Sequence, residues 1–166
     1  MAEKNYILTA EAAAQKIQRL SLEVAEQLQS DNEELIIIGV KNSGLVIAHK
    51  IGELVKQYIS SPIKIIDASL DKTNPVDIVL SETIDFNNKN ILICDDVANS
   101  GRTLLYILKP LLNYHPKRIQ TLVLVERMHK LFPVKPDYVG LSIATTLQEN
   151  IVVEIENDEV TGAFIQ

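Results

Sequence analysis

The chain holds a single cysteine, Cys94, and no tryptophan. One thiol excludes an internal disulfide and a zinc site built on cysteines, and it fits a reducing, cytoplasmic setting. Aromatic residues make up only 5% of the 166 positions, so a core must be assembled from Ile, Leu, Val and Ala. No apolar run approaches the ~18 residues that a membrane helix needs. The opening MAEKNYILTAEAAAQK lacks the apolar stretch of a signal peptide. Three histidines, with no H-x-x-x-H pair among them, leave little for a structural transition metal. Cations are outnumbered, 16 Lys plus Arg against 22 Asp plus Glu. The net charge of −6 argues against a generic binder of DNA or membranes, although a local basic patch could survive it. What is abundant is aliphatic. Hydrophobic residues make up 46% beside 23% charged, the balance of a globular protein with a sizeable core. A length of 166 makes one domain the expectation.

Two periodicities alternate along the chain. Between Thr9 and Gln29, the residues Ala13, Ile17, Leu20, Val24 and Leu28 fall three or four apart, one face of a helix. Thr9 is its cap, and Glu11 suits the first turn. Leu35–Val40 is short, β-branched and apolar throughout, a strand buried on both faces. Helical spacing returns from Gly44 to Ile59 and stops at Ser60-Ser61-Pro62. Ile63–Ser69, Ile91–Cys94 and Arg118–Glu126 read as further strands, and Arg102–Asn113 as a helix that Pro110 ends or kinks. Residues 70–90 are polar and turn-rich, with a short strand between Val76 and Thr83, and form the candidate functional loop. Short strands near Tyr138–Ile143, Ile151–Ile155 and Gly162–Ile165 complete the tail. Strands without period-two polarity, alternating with helices, predict an α/β fold: a parallel, Rossmann-like sheet with helices on both faces. In such folds ligands bind in the loops that follow the strands.

Three strand ends carry chemistry. The first is Ile91-Leu92-Ile93-Cys94-Asp95-Asp96-Val97-Ala98-Asn99-Ser100-Gly101-Arg102-Thr103. Adjacent carboxylates leaving a buried strand can accept hydrogen bonds from a ribose diol, or hold a hydrated Mg²⁺. The turn Ser100–Thr103 offers backbone N–H groups, two hydroxyls and a glycine for close approach, a cradle for phosphate. Diol and phosphate sites a few residues apart describe a ribose 5-phosphate pocket. The bland alternative makes the acids turn residues and Ser100 a helix cap. The second strand end, Gly39-Val40-Lys41-Asn42-Ser43-Gly44, is either an anion-binding loop or a glycine turn with an incidental lysine. The third is Leu122–Lys130 followed by Asp137-Tyr138-Val139-Gly140.

These runs resemble the type I phosphoribosyltransferases. An apolar strand, two acids, three residues, then hydroxyl, Gly, base and Thr is that family's motif for phosphoribosyl diphosphate (PRPP). Within the family the third strand end is most similar to the bifunctional pyrimidine-operon regulators/uracil phosphoribosyltransferases (PyrR type). The resemblance runs over nearly the whole chain. It implies a five-stranded parallel core in one domain, residues 1–166, with a small hood from about 1–9 and 128–166. It also implies Mg²⁺–PRPP binding and a homodimer or higher homo-oligomer. By the same resemblance, Asp95, Asp96, Val97, Ala98, Asn99, Ser100, Gly101, Arg102 and Thr103 bind the ribose phosphate. Lys41, Asn42, Ser43 and Gly44 bind pyrophosphate. Main-chain groups around Arg127, Met128, Tyr138 and Val139 contact the base. Asp95, Asp96, Lys72 and Arg127 are the catalytic set, and the two acids hold the metal mostly through water and substrate. Lys72 would belong to a loop, 70–76, that closes over PRPP. That loop lacks the usual aromatic and is shorter than in the pyrimidine regulators.

The reaction so implied transfers phosphoribosyl from PRPP to a base, expected to be uracil, giving UMP and pyrophosphate. Purine enzymes usually place an acid at Asn99 and a lysine at Glu126; an amide cannot take the purine proton, and a carboxylate reverses the other charge. The alternatives are a purine (hypoxanthine/guanine) enzyme, a nucleotide-sensing regulator of pyrimidine genes with little or no catalysis, and a phospho-receiver. The receiver fits poorly because its acids should follow the first strand. RNA binding through His129-Lys130, known in the resembled regulators, is disfavoured by the charge balance and by neutral Ser43; otherwise those two residues form a solvated turn. Cys94, His49 and His115 read as structural.

Overall fold

The computed structural model describes residues 3–71, 73–146 and 148–166. Among them run β1 (Asn5–Thr9), α1 (Ala10–Leu28), β2 (Leu35–Val40), α2 (Ser43–Val55), β3 (Ile63–Ser69), β4 (Val79–Leu80), β5 (Asn90–Ala98), α3 (Arg102–Ile107), β6 (Arg118–Arg127), β7 (Tyr138–Ile143), β8 (Ile151–Glu156) and β9 (Glu159–Ile165). The larger sheet has the order β4-β3-β2-β5-β6-β7. Five of its strands are parallel; the two-residue β4 is the antiparallel addition, pairing Leu80 with Ala68 and Val79 with Ser69. The α/β class therefore holds, with one edge strand more than expected.

Each helix packs as its spacing dictates. Thr9 Oγ1 accepts the Ala12 N–H at 3.1 Å and starts α1, whose Ala13, Ile17, Leu20, Val24 and Leu28 are all buried. That face, with α2 and the inner residues of β2, makes one core layer on one side of the sheet. Ile36, Ile38, Ile93, Leu104, Ile107 and Phe86 make the layer on the other side, under α3. Burial of β2 is complete, as an unbroken apolar run requires.

The structure differs from expectation in four places. The helix after β5 is α for six residues only; Pro110 lacks the N–H that an α-helix needs, and Lys109–Asn113 continues as a 3₁₀ turn. β5 does not stop at Cys94 but reaches Ala98, because the ten-residue β6 lies beside it: Asp95 pairs with Val123, Val97 with Val125 and Ala98 with Glu126. Val76–Thr83 yields only the pair Val79–Leu80, which meets Ser69 and Ala68 at the end of β3. The stretch 128–166 divides: Tyr138–Ile143 joins the large sheet beside β6, and only β8 and β9 enter the small antiparallel sheet β1-β9-β8. β7 belongs there because its register with β6 buries Tyr138 against α1.

Candidate functional site

The order of the large sheet reverses between β2 and β5, and the loops leaving those two strands diverge there. A crevice at the carboxyl ends is the physical consequence. β2 ends at Val40, and its pairing with β5 stops at Gly39 opposite Cys94, so β5 runs on past its neighbour from Asp96. Asp95 is buried, at 2% exposure, and Asp96 is half-buried. Asp95 Oδ1 accepts the Asp96 N–H, and Asp96 Oδ1 the Val97 N–H, both at 2.8 Å. These bonds fix two neighbouring carboxylates on one strand. Their hard oxygen donors suit Mg²⁺. Among the described residues no cluster of three or more His, Cys, Asp or Glu side chains could cage an ion. A metal here would complete its shell with water and ligand oxygens.

Beyond the acids the chain turns tightly. Gly101 has φ +84°, a left-handed conformation that a side chain would strain. Ser100 Oγ accepts the Arg102 N–H at 3.2 Å. A cavity of about 180 Å³ opens among Asp95, Asn99, Ser100, Gly101 and Thr103. A carboxylate at one end and loop hydroxyls and amides at the other are suited to a phosphorylated diol.

The loop after β2 comes to the same place. A Cβ on Gly44 would lie 2.7 Å from Cys94 O and 3.0 Å from Asp95 Cα, so only glycine lets α2 start against the acids. The Lys41–Asn42 peptide is cis. Lys41 donates its N–H to Ala68 O at 2.9 Å, and its ammonium sits 2.7 Å from Asp67 of β3. Lys41 thus enters the crevice already paired, although half of its side chain is exposed.

The expected base contacts are scattered. Arg127 is 7% exposed and bridges two segments: its guanidinium donates to Thr146 O at 3.3 Å, to Glu149 O, and to Asn99 Oδ1 at 3.4 Å. It ties the end of β6 to the loop after β5. The Met128 side chain is exposed, while its N–H bonds Ile143 O at 2.9 Å. Tyr138 points into the core, its hydroxyl on Gln120 Oε1 at 2.8 Å; burial pushes its pKa up to about 12. The Val139 and Gly140 carbonyls accept from Arg19 at 3.1 and 2.8 Å. Tyr138 and Val139 therefore stand apart from the cavity beside the acids. Lys72 lies outside the described residues. Cys94 is buried, and that burial, more than the charge of Asp95, pushes its thiol well up, as expected of an inert core residue.

One group was not legible as a site. Lys130 is no solvated turn residue: its ammonium lies 2.6 Å from Glu126 Oε2, with side-chain exposures of 10% and 7%. Ser142 donates to the other oxygen, Oε1, at 2.7 Å. Burial pushes the Glu126 carboxyl up, but the bonds from Lys130 and Ser142 outweigh it and hold the pKa below its ordinary value. The four-residue spacing of Glu126 and Lys130 was the available signal.

Sheet, crevice and loops define a mostly parallel α/β protein with a candidate ligand site at the switch point. Known proteins make this specific. The phosphoribosyl transferase domain model matches residues 4–158. The chain is 28% identical over 174 residues to the Bifunctional protein PyrR of Macrococcus caseolyticus, covering 99% of both. It is 32% identical over 165 residues to the Bifunctional protein PyrR of Clostridioides difficile, covering 93% of both. Its fold matches the hypoxanthine phosphoribosyltransferase of Trypanosoma cruzi with a TM-score of 0.80 at 15% identity, over 99% and 96% of the two chains. A hypoxanthine-guanine phosphoribosyltransferase of Bacillus anthracis matches with a TM-score of 0.72 at 20% identity, over 92% and 88%. The protein belongs to the type I phosphoribosyltransferase family.

Proposed function

We propose that the protein transfers the phosphoribosyl group of PRPP to uracil, giving UMP and pyrophosphate. The observation that supports this is the meeting of Asp95, the Ser100–Thr103 turn and the Gly44 loop at one crevice, with Asp96 next along the strand. In this reading the turn 99–103 holds the 5-phosphate by its amides and hydroxyls, and Asp95 and Asp96 accept from the ribose diol. Fixing both ends of the sugar leaves C1 between the diphosphate and the incoming base, which lowers the entropic cost of reaction. The amides of 41–44 face the diphosphate as it takes up charge, and Mg²⁺, when bound, neutralises that charge further. Arg127 keeps Asn99 in place and excludes water from the base side.

Two residues favour a pyrimidine. Asn99 is an amide and cannot act as the base that a purine needs. Glu126 is fully engaged by Lys130 and Ser142, so it offers a purine carbonyl no donor. The curated relatives named PyrR support the same choice. In a competition assay with equal uracil, hypoxanthine and guanine, UMP should be the main product. A clear excess of a purine nucleotide would reverse the choice of base and leave the family untouched.

A second reading, a nucleotide-binding regulator without turnover, is favoured by the short, aromatic-free loop that follows β3. Binding of UMP without formation of UMP from PRPP would select it. RNA binding is weak in either reading. Arg19 is bonded to strand carbonyls, Lys130 is buried, and Ser43 is neutral. Phosphate contacts dominate RNA affinity, so a hairpin RNA should bind poorly at physiological salt; a tight, salt-sensitive complex would contradict this. We further propose a single domain over 1–166 in which the small sheet serves as the hood, a homodimer or higher homo-oligomer, and a cytoplasmic location.

A further inference from the structure

The Glu126–Lys130–Ser142 cluster takes no part in fixing the sugar or the diphosphate, yet Glu126 and the Lys130 side chain are only 7% and 10% exposed and both carboxylate oxygens are bonded. Buried ion pairs are poor stabilisers, because desolvation offsets their attraction. Its geometry suggests another use. The segment 128–135 is irregular and carries exposed Met128 and Leu131. Its inner side forms the back wall of the phosphate loop. Leu131 N–H and Phe132 N–H both donate to Ser100 O, each at 3.0 Å. A Cβ on Gly101 would lie 3.3 Å from Phe132 O, 3.4 Å from Val134 O and 3.5 Å from Lys130 Cδ. The Arg102 guanidinium lies 5.2 Å from the centre of the Phe132 ring.

The peptide plane converts this into a statement about the ligand side. In a trans peptide the carbonyl of one residue and the N–H of the next point in opposite directions. Two donors holding Ser100 O toward 128–135 therefore turn the Gly101 N–H away from that segment, and Gly101 lines the cavity. Glycine at this position has the freedom to flip, so something must hold the peptide. Lys130 does so from behind, its stem against Gly101 and its ammonium on Glu126, while Ser142 on β7 holds the other carboxylate oxygen.

We propose that Glu126 is a positioning residue for the phosphate loop: through Lys130 it clamps segment 128–135 against Ser100 and so aims the Gly101 N–H at the 5-phosphate of the ligand. This rests on the function proposed above.

The test uses the full chain with PRPP, ribose 5-phosphate and pyrophosphate as calorimetric probes. Glu126→Gln and Lys130→Met should each weaken PRPP and ribose 5-phosphate roughly tenfold, the scale of coupling between residues that share a network. Pyrophosphate affinity should stay unchanged, since the 41–44 loop holds it. The PRPP KM should rise with kcat nearly constant. The double variant Glu126→Gln/Lys130→Met removes the uncompensated buried charge. It should recover the melting temperature of the wild type but not its ribose 5-phosphate affinity. Single variants that bind ribose 5-phosphate within twofold of wild type would overturn the proposal. So would pyrophosphate affinity falling by the same factor, or a double variant whose ribose 5-phosphate affinity returns with its melting temperature. Wild-type protein that binds none of the three probes would overturn the transferase reading and this inference with it.

Discussion

The two ends of the large sheet treat acidic residues differently. At the amino end of its parallel strands, carboxylates meet lysines: Asp31 pairs with Lys117 at 3.0 Å, and Glu34 with Lys89 at 3.1 Å. Backbone bonds close the same end, with Asn90 N–H on Glu34 O at 3.0 Å and Lys117 N–H on Lys89 O at 3.0 Å. At the carboxyl end, Asp95 and Asp96 lie side by side on one strand, each accepting from a backbone amide. Glycines there bring backbones into contact at Gly44 and Gly101. The amino end pairs its acids with lysines and completes the fold. The carboxyl end has such pairs too, Lys41 with Asp67 and Lys130 with Glu126, but it also sets two acids next to each other on one strand, an arrangement that suits a ligand rich in hydroxyls, phosphate and bound cation.

The comparison is broken most severely at the carboxyl end. Asp95→Asn with Asp96→Asn should cost two charge-assisted hydrogen bonds, each worth about 1.5–3 kcal/mol. PRPP affinity should fall on the order of 10²–10⁴-fold by calorimetry, with little change in melting temperature because two like charges are removed together. Unchanged affinity would remove the acids from the site.

Next in size is Gly44→Ala. The new Cβ would meet backbone at 2.7 and 3.0 Å, so α2 or β5 must move. Overpacking of this kind costs about 1–3 kcal/mol. Both the melting temperature and PRPP affinity should fall, which would mark α2 and the acids as one unit. A variant with wild-type affinity would separate the two loops.

The smallest effects belong to the amino end. Lys117→Met should lower stability by less than about 1 kcal/mol, since Lys117 is half-exposed, and PRPP binding should not change. The Asp31 carboxyl is held down to about 2, first by the Glu33 N–H and then by Lys117. A folded-state pKa below the unfolded value near 3.9 gives stability that is full above that value. It is lost as the pH falls through about 2. Melting temperatures measured from pH 5 down to pH 2 should therefore decline, and Asp31→Asn should flatten part of the decline. A flat profile for the unsubstituted protein would contradict the assignment.

Much of this architecture is legible in the residue order. The run from Leu35 to Val40 must be buried on both faces, and the spacing of Ala13, Ile17, Leu20, Val24 and Leu28 can serve only a helix. The order strand, two acids, hydroxyl, glycine marks the loop of interest because its parts are adjacent in the chain. Tyr138 illustrates the limit. Its neighbourhood in sequence suggests a main-chain contact to the base and says nothing of the ring, which its register beside Leu122 turns into the core. Phe86 is similar: it lies in a polar, turn-rich stretch and yet is 2% exposed, packed at 5.3 Å against Tyr114.

Local pattern alone determined the elements, the two-sided burial of the sheet and the identity of the acid–glycine loop, because helix period, strand period and turn chemistry act over a few residues. Tertiary structure decided what lies opposite what. Asp95 became a candidate site residue because the pairing of β5 with β2 stops at Cys94 while β5 itself runs on to Ala98. Arg19, although still exposed, donates to the carbonyls of Val139 and Gly140. Lys130 turned from solvent to Glu126 once β7 set Ser142 on the other side of that carboxylate. Ser142 lies 16 residues from Glu126 and Gly140 121 from Arg19, and strand register, which no local spacing encodes, chooses such partners.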